Sequence, residues 1–217
     1  MSFACRYPWL FSLATLSTLP IAACNSGPSA VKQPYIEASA AGKKAMEMYD
    51  KNGDGIVSGP ELEQAPGLKA ALSTLDSNGD KGVSADEVAA RVNAWKAMKT
   101  GLTYVRCRVT LDGEPLAGAT ITFEPEVFLG DEIKPAIAVT TANGEAMPTI
   151  RPEDRPTPRD PGGIQIGLYK VRVSRIENGK ETIPARYNTN TTLGQEVSYD
   201  DPAIKSRNMV FALKNGK

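Results

Sequence analysis

The stretch 50-DKNGDGIVSGPELE-63 places oxygen-bearing side chains at Asp50, Asn52, Asp54, Ser58 and Glu61, with Gly55 in the middle of the run. Counted from Asp50, the side chains fall at positions 1, 3, 5, 9 and 12, and Ile56 at position 7 has its backbone carbonyl to offer. Like charges crowded this closely repel one another unless a cation neutralises them. A hard cation takes about six to eight oxygens, so a loop that holds one must wrap around it. Such a loop turns sharply at a glycine and closes with a two-oxygen glutamate from the next helix. The alternative is a solvated surface turn rich in Asn, Asp and Gly.

Further along, 76-DSNGDKGVSADEV-88 repeats the run, with Asp76, Asn78, Asp80, Ser84 and Glu87 as oxygen donors and Gly82 offering a carbonyl. Two surface turns would not explain a glutamate at the same twelfth position of both. The flanks agree with the loops. Upstream, 45-AMEMY-49 carries the inward stripe of an entering helix, and downstream 85-ADEVAARVNAWKAM-98 carries Val88, Val92 and Trp95 on one face. Val57 and Val83, at position 8 of each run, are expected to pair as short strands. This spacing is the EF-hand ligand pattern, and the tandem resembles an EF-hand pair. The resemblance implies Ca2+ as the cofactor, held by Asp50, Asn52, Asp54, Ile56, Ser58 and Glu61 in one loop and by Asp76, Asn78, Asp80, Gly82, Ser84 and Glu87 in the other.

Two departures stand out. Lys81 occupies the place where glycine belongs, and Gly82 follows one residue late. A non-glycine residue in the left-handed conformation costs on the order of 1 kcal/mol. The second site is therefore expected to be weaker, or its turn to be rearranged around Gly82. Pro66-Gly67 is expected to cut the intervening helix to about one turn after Glu61. A pair this compact suits a structural or extracellular calcium module better than a sensor that opens a target groove.

Composition narrows the function classes. The 217 residues include 25 basic and 25 acidic side chains, so the basic footprint of a nucleic-acid binder is missing. Histidine is absent, which removes Ser-His and Cys-His catalysis and His-ligated metals. The three cysteines, Cys5, Cys24 and Cys107, form no CxxC pair. Cys107 falls on the apolar side of 104-YVRCRVTL-111, where a thiol behaves as a small hydrophobe.

The chain starts with one arginine, Arg6, ahead of an apolar run from Trp9 to Leu19. As a helix that run would rise about 16 Å, roughly half a bilayer core, which suits an export signal rather than a membrane span. It ends in 21-IAAC-24, which resembles the bacterial lipobox. The resemblance implies lipidation of Cys24 and anchorage in a membrane, with the outer membrane or cell surface favoured by Asn25. The alternative is a secretory signal cleaved after Ala23. Residues 25-NSGPSAVKQP-34 read as a polar tether.

After 99-KTG-101 the pattern changes to period two. Ala119, Ile121 and Phe123, then Tyr169, Val171 and Val173, then Met209, Phe211 and Leu213 alternate with outward residues. Turn signals stand at 112-DG-113, 143-NG-144 and 178-NG-179, and the Pro-rich 151-RPEDRPTPRDPGG-163 reads as a surface loop. These strands predict an antiparallel, Greek-key-type β-sandwich. The runs 109-VTLDGEPLAGATITFEPE-126, 140-TTANGEA-146 and 167-GLYKVRVS-174 resemble the carboxypeptidase-regulatory or transthyretin-like domain. Together with 183-IPARYNTNTTLGQEV-197, they resemble a family of bacterial lipoproteins that carry this domain behind EF-hands. Hydroxyisourate hydrolases, enzymatic relatives of that fold, depend on histidines and a C-terminal Tyr-Arg-Gly-Ser. This chain has no histidine and ends FALKNGK.

The expected layout is α+β and multidomain: signal over 1–23, tether over 24–33, EF-hand pair over 34–100 and β-sandwich over 101–217. The expected function is a calcium-binding, membrane-anchored lipoprotein of the cell envelope whose sandwich binds an envelope glycan or protein, or acts as a spacer. The alternative is a structural envelope protein with incidental calcium binding. An enzyme would have to draw on Glu124, Glu126, Asp131 and Glu132, but charge at a strand end usually marks a solvated edge. The short linker at Thr100 and Gly101 is expected to leave the two halves separately folded.

Overall fold

The computed structural model describes Met1, residues 32–155 and residues 162–216. The expected export signal beyond Met1, Cys24, most of the expected tether and the middle of the Pro-rich run lie outside the described residues. The protein is mixed α+β, with largely antiparallel sheets.

Helix α1 (Ala38–Tyr49) starts where Glu37 accepts the amides of Ser39 and Ala40, and it turns Ala41, Ala45 and Tyr49 inward. Strands β1 (Ile56–Ser58) and β2 (Gly82–Ser84) pair antiparallel, with Val57 opposite Val83 as expected. Between them the chain makes a 3-10 turn, Gly59–Gln64, and the short helices α2 (Pro66–Ala70) and α3 (Leu72–Leu75). As expected, the helical turn carrying Glu61 stops at Gln64, before Pro66. Pro66 opens α2, at a position whose N–H has no helical partner in any case. Helix α4 (Ala85–Ala97) is fixed by a capping box in which Ser84 and Glu87 each bond the other's amide, and Val88, Val92 and Trp95 are buried.

The rest is strand and turn: β3 (Cys107–Leu111), β4 (Glu114–Pro115), β5 (Thr120–Pro125), β6 (Ala136–Val139), β7 (Glu145–Ala146), β8 (Thr149–Ile150), β9 (Gly167–Ser174), β10 (Ile176–Glu177), β11 (Lys180–Glu181), β12 (Leu193–Val197), helix α5 (Pro202–Lys205) and β13 (Met209–Leu213). One sheet runs β12-β9-β5-β6-β8, entirely antiparallel. The other runs β13-β3-β4, with β7 also on β3. Here the expectation of a purely antiparallel arrangement is corrected, because β13 and β3 run parallel. Asp112-Gly113 and Asn178-Gly179 take positive φ at both residues and close the β3–β4 and β10–β11 hairpins. Asn143-Gly144 instead turns between β6 and β7, which belong to different sheets.

The inward faces are those the alternation predicts. Phe123 on β5 stands with its ring centre 5.9 Å from Tyr169 of its own sheet and 5.9 Å from Phe211 of the other. Cys107 is buried among these residues, and burial pushes its thiol up to about 12, so it behaves as a core side chain.

The two expected halves meet well beyond the short linker. One continuous hydrophobic core runs from Ile36 and Ala45 through Leu68 and Trp95 to Val171 and Leu213. Helix α2 lies on β12 so closely that a Cβ on Gly194 would sit 1.8 Å from the Pro66 carbonyl oxygen.

Candidate metal centre and its anchors

Each loop is built on hydrogen bonds from its own backbone to its own carboxylates. Asp50 accepts the amides of Gly53 at 2.7 Å and Gly55 at 2.8 Å. Asn52 accepts the Asp54 amide at 2.8 Å and donates to the Asp54 carboxylate at 2.9 Å, while Asp54 accepts the Ile56 amide at 2.9 Å. Glu61 reaches back across the loop and accepts Lys51 at 2.8 Å, Asn52 at 3.2 Å and Ser58 at 3.1 Å.

The second loop repeats this almost bond for bond. Asp76 accepts Gly79 at 2.6 Å and Lys81 at 2.9 Å, Asn78 accepts Asp80 at 2.8 Å, and Asp80 accepts Gly82 at 2.9 Å. Glu87 takes both amide and hydroxyl of Ser77, at 2.9 and 3.1 Å, and both of Ser84, each at 2.9 Å. Burial pushes the Glu87 carboxyl up, but the Ser84 and Ser77 donors outweigh it and hold the group below its usual range. The two glutamates differ in support. Glu87 is buried at the start of α4, whereas Glu61 is part-exposed on a 3-10 turn.

The anomaly at Lys81 and Gly82 has a structural answer. Lys81 adopts φ +67, the left-handed conformation that Gly55 takes at φ +86, so the turn is not rearranged around Gly82. Gly82 answers a different need. A Cβ there would lie 2.2 Å from the Ile56 side chain across the β1–β2 pair. Lys81 itself is solvent-exposed.

Among the described residues, no group of three Asp, Glu, Cys or His side chains is gathered tightly enough to hold an ion as it stands. The carboxylates are instead spread onto the loop amides just described. The donor set is nonetheless all oxygen, the ligand type of a hard divalent cation, and Glu87, whose four accepted bonds fill its carboxylate, would exchange some of them for the ion. In that chemical sense the residues fit calcium.

Two buried carboxylates tie these loops to the β-strands: Glu126, read from the sequence as a solvated strand end, and Glu196, which the sequence did not single out. Glu126, just past β5, is 0% exposed and accepts Tyr49 Oη at 2.7 Å and the Gly67 amide at 3.1 Å, with Lys170 Nζ at 3.8 Å. Burial pushes its carboxyl above the usual range, against the pull of Lys170, Tyr49 and Gly67. Burial and the Glu126 charge likewise keep the Tyr49 hydroxyl protonated. The expectation of a solvated edge therefore fails at Glu126. Its neighbours serve elsewhere: Glu124 pairs with Arg172 at 2.7 Å, Glu132 accepts the Tyr35 amide at 2.6 Å, and the Asp131 carbonyl accepts Lys134.

Glu196, on β12 and also 0% exposed, accepts Arg91 Nε at 2.6 Å, Trp95 Nε1 at 2.9 Å and Thr74 Oγ1 at 2.7 Å. The same guanidinium grips both oxygens of Asp200, at 2.8 and 2.7 Å. Arg91 had a faint signal, since it is a charged residue between Val88, Val92 and Trp95 on the inward side of α4. Glu196 had none, because Glu196 and Val197 are buried side by side and break the alternation of β12.

Compared with known proteins, the chain matches no protein family and no curated relative.

Proposed function

We propose that this chain is a calcium-binding lipoprotein of the cell envelope, in which a pair of EF-hand loops is seated on a transthyretin-like β-sandwich. The observation that carries the reading is the repetition of one hydrogen-bonded loop scaffold around Asp50 and Asp76, joined back to back through Val57 and Val83. Ca2+, when bound, supplies the positive charge that lets the loop carboxylates converge. Asp50, Asn52, Asp54, Ile56, Ser58 and Glu61 would hold one ion, and Asp76, Asn78, Asp80, Gly82, Ser84 and Glu87 a second. The sandwich reading is supported by Phe123, whose ring meets both sheets. Cys24 would carry the lipid, and the module would act as a binding or spacer element toward an envelope glycan or protein, without catalysis and without nucleic acid.

A second reading has its own support. The Glu126 and Glu196 networks join loops and strands through protein groups alone, as a structural envelope protein with incidental calcium binding would require.

Calorimetric titration tests the first reading. Two calcium steps are expected, with Glu61→Gln removing one and Glu87→Gln the other; no heat of binding from either loop at millimolar calcium would overturn it. Cys24→Ser should release the protein from the membrane fraction and abolish acyl labelling.

A further inference from the structure

The parallel pairing of β13 with β3 has a consequence at the strand starts. Met209 lies opposite Cys107 with both strands running the same way, so the segments leading into them emerge side by side. Each segment carries an arginine, Arg106 on one and Arg207 on the other. Together with Tyr104, Met147, Ile204 and Met209, these arginines line a concavity of about 370 Å³. That volume lies within the range of small-ligand sites.

The lining is of two kinds. Tyr104 is 67% exposed and Met147 is 53% exposed, an unusual outlay of apolar surface for side chains with no visible cover. Both guanidiniums are exposed, and neither has an ion-pair or side-chain hydrogen-bond partner among the described residues. Glu145, which lines the neighbouring hollow, is taken by Arg108 at 3.4 Å. The same two arginines also border a second hollow beside Asn208 and Glu145. They thus stand on the ridge between the two hollows. Arg207 is held there in a left-handed backbone conformation, φ +53, that a residue with a Cβ seldom adopts. The Asn208 amide, bonded to the Ala203 carbonyl at 3.0 Å, helps fix that turn.

We propose that this concavity binds an amphiphilic anion, a phosphate or carboxylate carried on an apolar group. The anionic head meets Arg106 and Arg207, whose forked donors match such oxyanions, and the apolar part covers Tyr104, Met147 and Ile204. Neither group alone accounts for the site: a bare anion leaves the apolar wall wet, and a neutral hydrocarbon leaves two guanidiniums unanswered.

Titration of the whole chain with n-hexyl phosphate, inorganic phosphate and 1-hexanol tests this. Saturable one-to-one binding of hexyl phosphate is expected, with the other two at least about tenfold weaker, and with Arg106→Gln and Arg207→Gln each weakening it about tenfold. Both arginines are exposed, so thermal melting of the variants should match the parent. Should Arg207→Gln fail to fold, Tyr104→Ser provides the independent variant and should weaken hexyl phosphate while sparing inorganic phosphate. Vesicles of phosphatidylglycerol, offered to the chain carrying Cys24→Ser, separate the sources. Arginine-dependent association identifies a lipid headgroup, and hexyl phosphate binding without vesicle association identifies a free amphiphile. The proposal is overturned if inorganic phosphate binds as well as hexyl phosphate, if the arginine variants bind hexyl phosphate unchanged, or if neither hexyl phosphate nor vesicles bind.

Discussion

The Tyr49 hydroxyl donates a 2.7 Å hydrogen bond to Glu126, and so links the residue just before Asp50 to the end of strand β5. Glu196 does the same for the second loop, through Thr74 ahead of it and Arg91 and Trp95 behind it. Each loop is therefore flanked by a residue bonded to a fully buried carboxylate from the β-strand part of the chain.

This arrangement predicts how the protein responds to chelation. Ligand that binds only the folded state stabilises it, by about 2.7 kcal/mol per site at a hundredfold excess over the dissociation constant. Because one core spans both halves, that stabilisation is shared. Scanning calorimetry should show a single transition that moves down as one unit when EGTA replaces calcium. Two transitions, with only the lower one calcium-sensitive, would mean that the shared core does not couple the halves.

Breaking the Arg91–Glu196 pair should be costly. Arg91 keeps 9% of its side-chain exposure and Glu196 none, so removing the carboxylate charge leaves a buried guanidinium undercompensated. Glu196→Gln is expected to destabilise by roughly 3–5 kcal/mol in urea titration. Glu63→Gln, which touches only the exposed pair with Lys69, should change stability by less than about 1 kcal/mol.

Stability should depend on pH in two opposite senses. The Glu126 carboxyl is raised above its ordinary 4.5 in the fold, so its contribution is complete below 4.5 and is lost as pH rises through the folded value. Asp200 is held down to about 2 by Arg91, from an ordinary 3.8, so its contribution is complete above 3.8 and is lost as pH falls toward 2. Denaturation across this range should show Glu126→Gln flattening the upper limb and Asp200→Asn the lower one.

Gly194→Ala tests the contact between α2 and β12. The new Cβ would sit 1.8 Å from a backbone oxygen that has little freedom to yield, and a loss of roughly 1–3 kcal/mol is expected. Gly216→Ala, with nothing within 4 Å of its Cβ, should be silent in the same measurement.

Much of this was legible in the chain itself, because the information is local. Oxygen donors at fixed spacing define the two loops, a two-residue period marks the inward faces of β5, β9 and β13, and Asp-Gly or Asn-Gly marks two hairpins. Each is a relation among residues a few positions apart, decided by backbone geometry. Lys81 shows where local reading stops: its departure from glycine was visible, but the reason for Gly82 was not, since that reason is the Ile56 side chain on the partner strand.

What only the tertiary structure decided are the meetings of distant segments. Tyr49 and Glu126 are 77 residues apart, and Arg91 and Glu196 are 105 apart. A glutamate at a strand end reads the same in sequence whether it faces water or a tyrosine hydroxyl. Its burial becomes tolerable only when donors from another element arrive to replace water. The parallel approach of β13 to β3, which brings Arg106 and Arg207 together, depends likewise on how the whole sheet closes, because alternation specifies which face a strand buries and leaves its direction open.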